Sequence, residues 1–127
     1  MSIPVALTEL AEAAASRAYA YLLTVNDDGR PHAVAVSPEF SGDSMVIAEA
    51  GRRTSANASA RPSVSLVYPP ADLGGYSLIV DALASVDGTT VSLRPSGAVL
   101  HRPAPGHEPG PGSCGSDCVP ISLTASE

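Results

Sequence analysis

The chain has 127 residues, of which 44% are hydrophobic and 16% are charged, and its formal net charge is −6. This length suits one domain with one modest core, and the composition is globular rather than disordered. Every basic side chain is an arginine, and the acidic chain has no extended basic cluster. Binding to nucleic acid or to an anionic membrane is therefore not expected, because both require many basic side chains.

The start of the chain lacks the features of a secretory signal, since no basic segment precedes an apolar run. No window contains about 18 consecutive apolar residues, the length that a membrane-spanning helix needs. We therefore expect a cytoplasmic protein, in a compartment that keeps cysteines reduced.

The first half of the chain predicts one helix followed by three strands. Residues 4–17 are rich in alanine and carry an approximate helical stripe of apolar side chains, which predicts a helix. The apolar run 18–25 predicts a strand that ends in a hairpin turn at Asp28 and Gly29. The alternating segment 32–37 predicts the returning strand, and residues 44–48 predict a third.

The second half predicts a short helix and then further strands. Residues 51–60 interrupt the alternation, and Arg61 precedes a proline, which disfavours continuing the helix. Strands are predicted over 63–68, 76–85, 90–94 and 98–101.

Strands joined by tight turns pair antiparallel, so the sequence predicts a mainly β fold with short helices. A closed or split barrel is the favoured arrangement, and a sandwich is the alternative. We expect residues 1–103 to form this domain and residues 104–127 to be an irregular tail rich in proline and glycine.

Three local sequence patterns are informative in addition to the order of the predicted helices and strands. Gly29-Arg-Pro31 precedes the second predicted strand, Gly51-Arg-Arg-Thr54 follows the third, and His101-Arg-Pro103 follows the last hairpin. In these patterns, residues 21–102 resemble the FMN-binding split-barrel family of pyridoxamine 5'-phosphate oxidase. The resemblance implies an antiparallel split β-barrel that forms a homodimer and binds FMN between its two subunits.

A phosphate site is expected at the start of the second predicted helix. A helix N-terminus, free backbone N–H groups and an arginine together hold a phosphate well. The resemblance implies a set of cofactor-binding residues that hold the phosphate or face the flavin ring: His32, Ser37, Ala48, Arg53, Thr54, Ser55 and Asn57. The alternative is a solvated helix start with surface arginines, and a half-exposed strand histidine at His32.

The chain also departs from the family pattern. Thr54 stands where the oxidase has a lysine, and Arg61 stands where the family usually has asparagine before proline. The C-terminal Arg-x-His element that binds the substrate of the oxidase is missing, because His101 and Arg102 are in the wrong order. We therefore expect a flavin-dependent oxidoreductase with an unknown small substrate, not a true pyridoxamine 5'-phosphate oxidase, and assign no catalytic residue.

The alternative function is a non-catalytic module that binds flavin, the deazaflavin F420 or haem. FMN is expected ahead of F420, because the polyglutamate tail of F420 favours a basic groove and this acidic, lysine-free chain offers little of one.

Cys114 and Cys118 in the tail leave three alternatives open. They could be inert thiols, a labile disulfide near the flavin, or metal ligands together with His101 and His107. We expect the reversible disulfide rather than a zinc site, because two thiolates alone cannot complete a tetrahedral zinc site.

Overall fold

The structure of the protein is a computed structural model that describes residues 1–104. The expectations for Cys114, Cys118 and His107 lie outside the described residues. Eight strands and two short α-helices form this part of the chain.

The strands are β1 (Ser2–Pro4), β2 (Ala20–Val25), β3 (Pro31–Val36), β4 (Glu39–Ser41), β5 (Ser44–Ile47), β6 (Ser63–Tyr68), β7 (Ser77–Asp87) and β8 (Thr90–His101). The helices are α1 (Leu10–Ala14), which follows a 3-10 turn at Leu7–Glu9, and α2 (Arg52–Ala60). Neither helix is long and apolar enough to cross a membrane.

All eight strands belong to one sheet, in which every pairing is antiparallel. The order is β3-β2-β6-β7-β8-β5-β4, and β1 pairs with the end of β8. The sheet has the split-barrel fold that the sequence predicts, and the sandwich alternative is wrong because the strands do not divide into two sheets. The two outer strands, β3 and β4, follow each other in the chain.

Two local predictions are wrong in detail, and one strand was not predicted. The helix predicted over 4–17 begins later, because Ser2–Pro4 pairs with the end of β8 and this long-range pairing overrides the local helical preference. Residues 90–94 and 98–101 belong to one continuous strand, whose register shifts opposite Asp81 and Ala82. Strand β4 was not predicted, since it is short and fully exposed and has no alternating burial.

The core lies on the inner face of the curved sheet. Strands β2, β6, β7 and β8 each bury alternate side chains, as expected for a sheet with one covered face. The largest fully buried side chains include Leu22, Leu66, Leu78 and Leu93. Helix α2 contributes Ala58 to the same core, so it is fixed beside the end of β2 and the turn that follows.

Candidate cofactor site

A groove lies at the start of α2, at the predicted phosphate site. Its volume is about 670 Å³, and one wall is formed by the helix and the other by the turn between β2 and β3. The residues that line it are Asn26, Asp27, Asp28, Arg52, Arg53, Ala56 and Asn57. Both arginines are exposed, so their guanidinium groups are accessible to an anion.

Gly51 caps this helix with a backbone conformation that side chains rarely adopt. Its φ is 90° and its ψ is 160°, in a region that is essentially restricted to glycine. No side chain caps the first turn of α2. The N–H groups of this turn have no partner within a helix, which makes them available to an anion in the groove.

Asn57 fixes the turn between β2 and β3 against α2. It is buried, and its Nδ2 donates to Thr24 Oγ1 at 3.1 Å and to Asn26 Oδ1 at 2.8 Å. Both hydrogens of this amide are therefore used within the chain. Asn57 lines the groove, but its donors position the opposite wall.

Arg61 holds the same turn from the end of α2. Its Nε donates to the carbonyl of Val25 at 2.9 Å, and its Nη2 lies 2.7 Å from Asp27 Oδ1. The Asp27 side chain is 95% exposed, so the ion pair itself adds little stability. Its effect is geometric, since it fixes the direction of a carboxylate beside the groove.

Thr54 and Ser55 do not line the groove, although the resemblance implies that they hold the phosphate. Both are buried on the inner side of α2. The hydroxyl of Ser55 donates to the carbonyl of Gly51 at 2.7 Å, so its hydrogen is used within the helix itself. Of the four residues predicted on α2, Arg53 and Asn57 lie at the groove.

The three remaining predicted residues lie elsewhere along the sheet. His32 faces Thr24 across the β2–β3 pair, and its Nδ1 is buried without a hydrogen-bond partner among the described residues. Ser37 follows β3 at its far end and lines a separate cavity of about 290 Å³. Ala48 is exposed after β5, and its carbonyl accepts a hydrogen bond from Thr90 Oγ1 at 3.2 Å.

The cavity beside Ser37 also contains the phenol of Tyr68. Tyr68 lines it, and burial raises the pKa of its hydroxyl above the ordinary value. The same wall includes Arg17, whose guanidinium Nη1 donates to the carbonyls of Tyr76 at 2.8 Å and Pro69 at 3.2 Å. This arginine joins α1 to the loop before β7 and is a structural contact rather than a free cation.

The outer face of the sheet carries an apolar row that residues 1–104 leave uncovered. Neighbouring strands place in register Ala35, Tyr21, Val67, Ile79, Val99 and Pro4. None of these side chains is buried, and Tyr21 is 39% exposed. A continuous apolar row of this length is typical of a surface that contacts another protein.

Sequence reasoning missed the acidic wall of the groove. Asn26, Asp27 and Asp28 carry the signature of a turn, and nothing in the sequence says that this turn lies against α2. The hydrogen bonds from Asn57 and Arg61 create that contact between residues about 30 positions apart in the chain. Within residues 1–104, no group of three or more His, Cys, Asp or Glu side chains is placed to hold a metal ion.

Several solved structures have a fold similar to that of this chain. A FAD-binding protein of Mycobacterium smegmatis matches 80% of this chain and all of its own, with a TM-score of 0.59 and 18% identity. A Listeria innocua protein named as a candidate pyridoxamine 5'-phosphate oxidase matches 74% of this chain and 96% of its own, with a TM-score of 0.58 and 13% identity. An F420 reductase matches 63% of this chain and 87% of its own, with a TM-score of 0.54 and 18% identity. The chain is a split-barrel protein of the pyridoxamine 5'-phosphate oxidase-like fold.

No protein-family model matches the chain. Two curated relatives, uncharacterised proteins of Mycobacterium bovis and Mycobacterium tuberculosis, are each 37% identical to it over 134 aligned positions. The match covers 92% of this chain and 94% of each relative. The chain therefore belongs to the family of these two mycobacterial proteins.

Proposed function

We propose that the chain is a cytoplasmic, FMN-binding split-barrel protein and that it acts as a flavin-dependent oxidoreductase on a small organic substrate. The groove at the start of α2 carries the proposal, because it combines two exposed arginines with a helix N-terminus that no side chain caps. Structures of the same fold include a FAD-binding protein and an F420 reductase, which supports a flavin-type ligand.

In this proposal Arg52 and Arg53 pair with the phosphate of FMN. A charge-assisted hydrogen bond from a guanidinium to a phosphate is about twice as strong as a neutral one. The open conformation of Gly51 lets the first N–H groups of α2 approach the same oxygens. The bound flavin would supply hydride chemistry, and the chain would supply binding, orientation and exclusion of water.

The flavin ring would extend from the groove along β3, which is an outer strand of the sheet. An outer strand has backbone N–H and C=O groups that no neighbouring strand uses. His32 lies on this strand, and its buried Nδ1 lacks a partner among the described residues, so a polar ring edge would complete its hydrogen bonding.

The proposed partner is a second copy of the chain. The apolar row across six strands would be covered by the same row of another subunit, as a two-fold interface requires. In such a dimer the second subunit also supplies a wall for the cofactor.

FMN titration followed by flavin fluorescence tests the cofactor. We expect saturable binding, and we expect Arg53→Ala to weaken it by about 1.5–3 kcal/mol, the value of a hydrogen bond between charged groups. Arg94→Ala is the matched control, because Arg94 lies at a different cavity. Absence of saturable binding into the tens of micromolar would refute the FMN proposal.

The second candidate is a non-catalytic module that binds flavin, F420 or haem. It is supported by the missing C-terminal Arg-x-His element, which binds the substrate in the oxidase. Absorbance of the freshly purified protein distinguishes these cofactors by their bands. Stopped-flow reduction of bound flavin by NADH or NADPH then separates an enzyme from a module, since a module shows no rapid reduction.

A further inference from the structure

We propose that the cavity beside Ser37 binds a small ligand built on one aromatic ring that carries a hydrogen-bond acceptor, such as the carbonyl oxygen of an aryl ketone. This cavity shares no lining residue with the groove at the start of α2. The site is separate from the proposed cofactor site, and binding there does not depend on FMN.

The cavity gathers most of the aromatic side chains of a chain that has few of them. The sequence contains four tyrosines, one phenylalanine and no tryptophan. Three of these five aromatic residues, Tyr19, Phe40 and Tyr68, line this one cavity. They come from the residue before β2, from β4 and from the end of β6, so the fold brings them together. Aromatic rings prefer offset or edge-to-face contact with other rings, and this lining therefore favours a planar aromatic ligand.

The size of the cavity limits the ligand to about one ring. Its volume is about 290 Å³, and four alanines in and just after α1 form one wall, where their short side chains leave space. A cavity of roughly 150 Å³ is enough to hold benzene. Sites for larger, drug-sized ligands have volumes of roughly 300–1,000 Å³. The space therefore suits a single ring with a small substituent.

Tyr68 supplies a hydrogen-bond donor to this cavity. Only 3% of the residue is exposed, and its hydroxyl has no hydrogen-bond partner within residues 1–104. Burial raises the pKa of this hydroxyl, so it keeps its proton at neutral pH and can donate. The hydroxyl is not fully enclosed by protein atoms. An acceptor oxygen on a ligand in the cavity would give it the partner that buried polar groups normally have.

The other polar groups of the cavity agree with this kind of ligand. Ser37 is exposed at the cavity and offers a second hydroxyl. Arg17 on the same wall already donates to backbone carbonyls from its Nε and Nη1. The hydroxyl groups are therefore the donors that would select the ligand.

The test uses acetophenone as the probe and the full chain without added FMN. An NMR titration measures its dissociation constant and shows which backbone amides respond. We expect saturable shifts at Tyr19, Ser37 and Phe40. We expect weaker binding of cyclohexyl methyl ketone, which keeps the carbonyl but lacks the aromatic ring. Tyr68→Phe, which retains the buried ring, should weaken acetophenone binding about three- to tenfold, the effect of one net hydrogen bond.

Tyr76→Phe is the matched control, because it removes a phenol hydroxyl that donates to Met1 Sδ outside the cavity. This variant should bind acetophenone as the wild type does. Equal affinity for the two ketones, an unchanged affinity in Tyr68→Phe, or an equal loss in both variants would overturn the inference. A protein that binds acetophenone at these residues but does not bind FMN would support this site and refute the proposed cofactor.

Discussion

Replacement of Asn57 by alanine tests whether this residue positions the groove or contacts the cofactor. The change removes two hydrogen bonds, to Thr24 Oγ1 and Asn26 Oδ1, each with a net value of about 1 kcal/mol. Loss of a donor to the buried Thr24 hydroxyl adds about 1 kcal/mol. Alanine is the better helix former by roughly 0.6 kcal/mol, which offsets part of the loss. We expect Asn57→Ala to lower the free energy of unfolding by about 2–2.5 kcal/mol.

Urea unfolding, followed by circular dichroism, measures this change. Ser59→Ala is the control on the same helix, because Ser59 is exposed and its replacement should alter stability by less than about 0.5 kcal/mol. In a double-mutant cycle with Thr24→Val, we expect a coupling energy of about 1 kcal/mol between Asn57 and Thr24.

The FMN affinity of the same variant separates the two roles of Asn57. Because both amide hydrogens are used within the chain, Asn57→Ala should weaken FMN binding less than Arg53→Ala does, under conditions where both variants are folded. A variant of unchanged stability that loses FMN binding as strongly as Arg53→Ala would refute the reasoning, since it would make Asn57 a direct cofactor contact.

Three further predictions concern the rest of the fold. Arg17→Met should cost about 2–3 kcal/mol in thermal unfolding, because it leaves several carbonyl groups without their charged donor, whereas the exposed Arg30→Met should cost little. Burial raises the pKa of Tyr68 in the folded state, so its contribution to stability is complete below the unfolded pKa of about 10 and is lost as pH rises above it. The Tyr68→Phe variant should therefore lose less stability than the wild type in this alkaline range. Tyr21→Glu should convert the proposed homodimer into monomers, detected by sedimentation, and a wild-type monomer would contradict the proposed interface.

The local sequence determined much of the strand pattern. Alternation of apolar and polar residues predicted residues 63–68 as a strand, and the structure places β6 at Ser63–Tyr68. Asp-Gly pairs predicted the turns after β2 and β7, because glycine readily adopts the positive φ found at Gly29 and Gly88. This strand and these turns depend on residues that are close together in the chain, so they can be predicted from the sequence.

The tertiary structure decided the features that depend on contacts between residues far apart in the chain. Ser2–Pro4 became a strand only because the end of β8 offers unpaired backbone groups. The sequence identified Arg53 and Asn57 as candidate site residues but did not reveal that Asn57 turns its donors toward Thr24 and Asn26. It predicted Thr54 and Ser55 as phosphate contacts, yet the rotation of α2 on the core buries both. Which face of a short polar helix turns inward depends on packing against the sheet, since the helix itself has no strong apolar stripe.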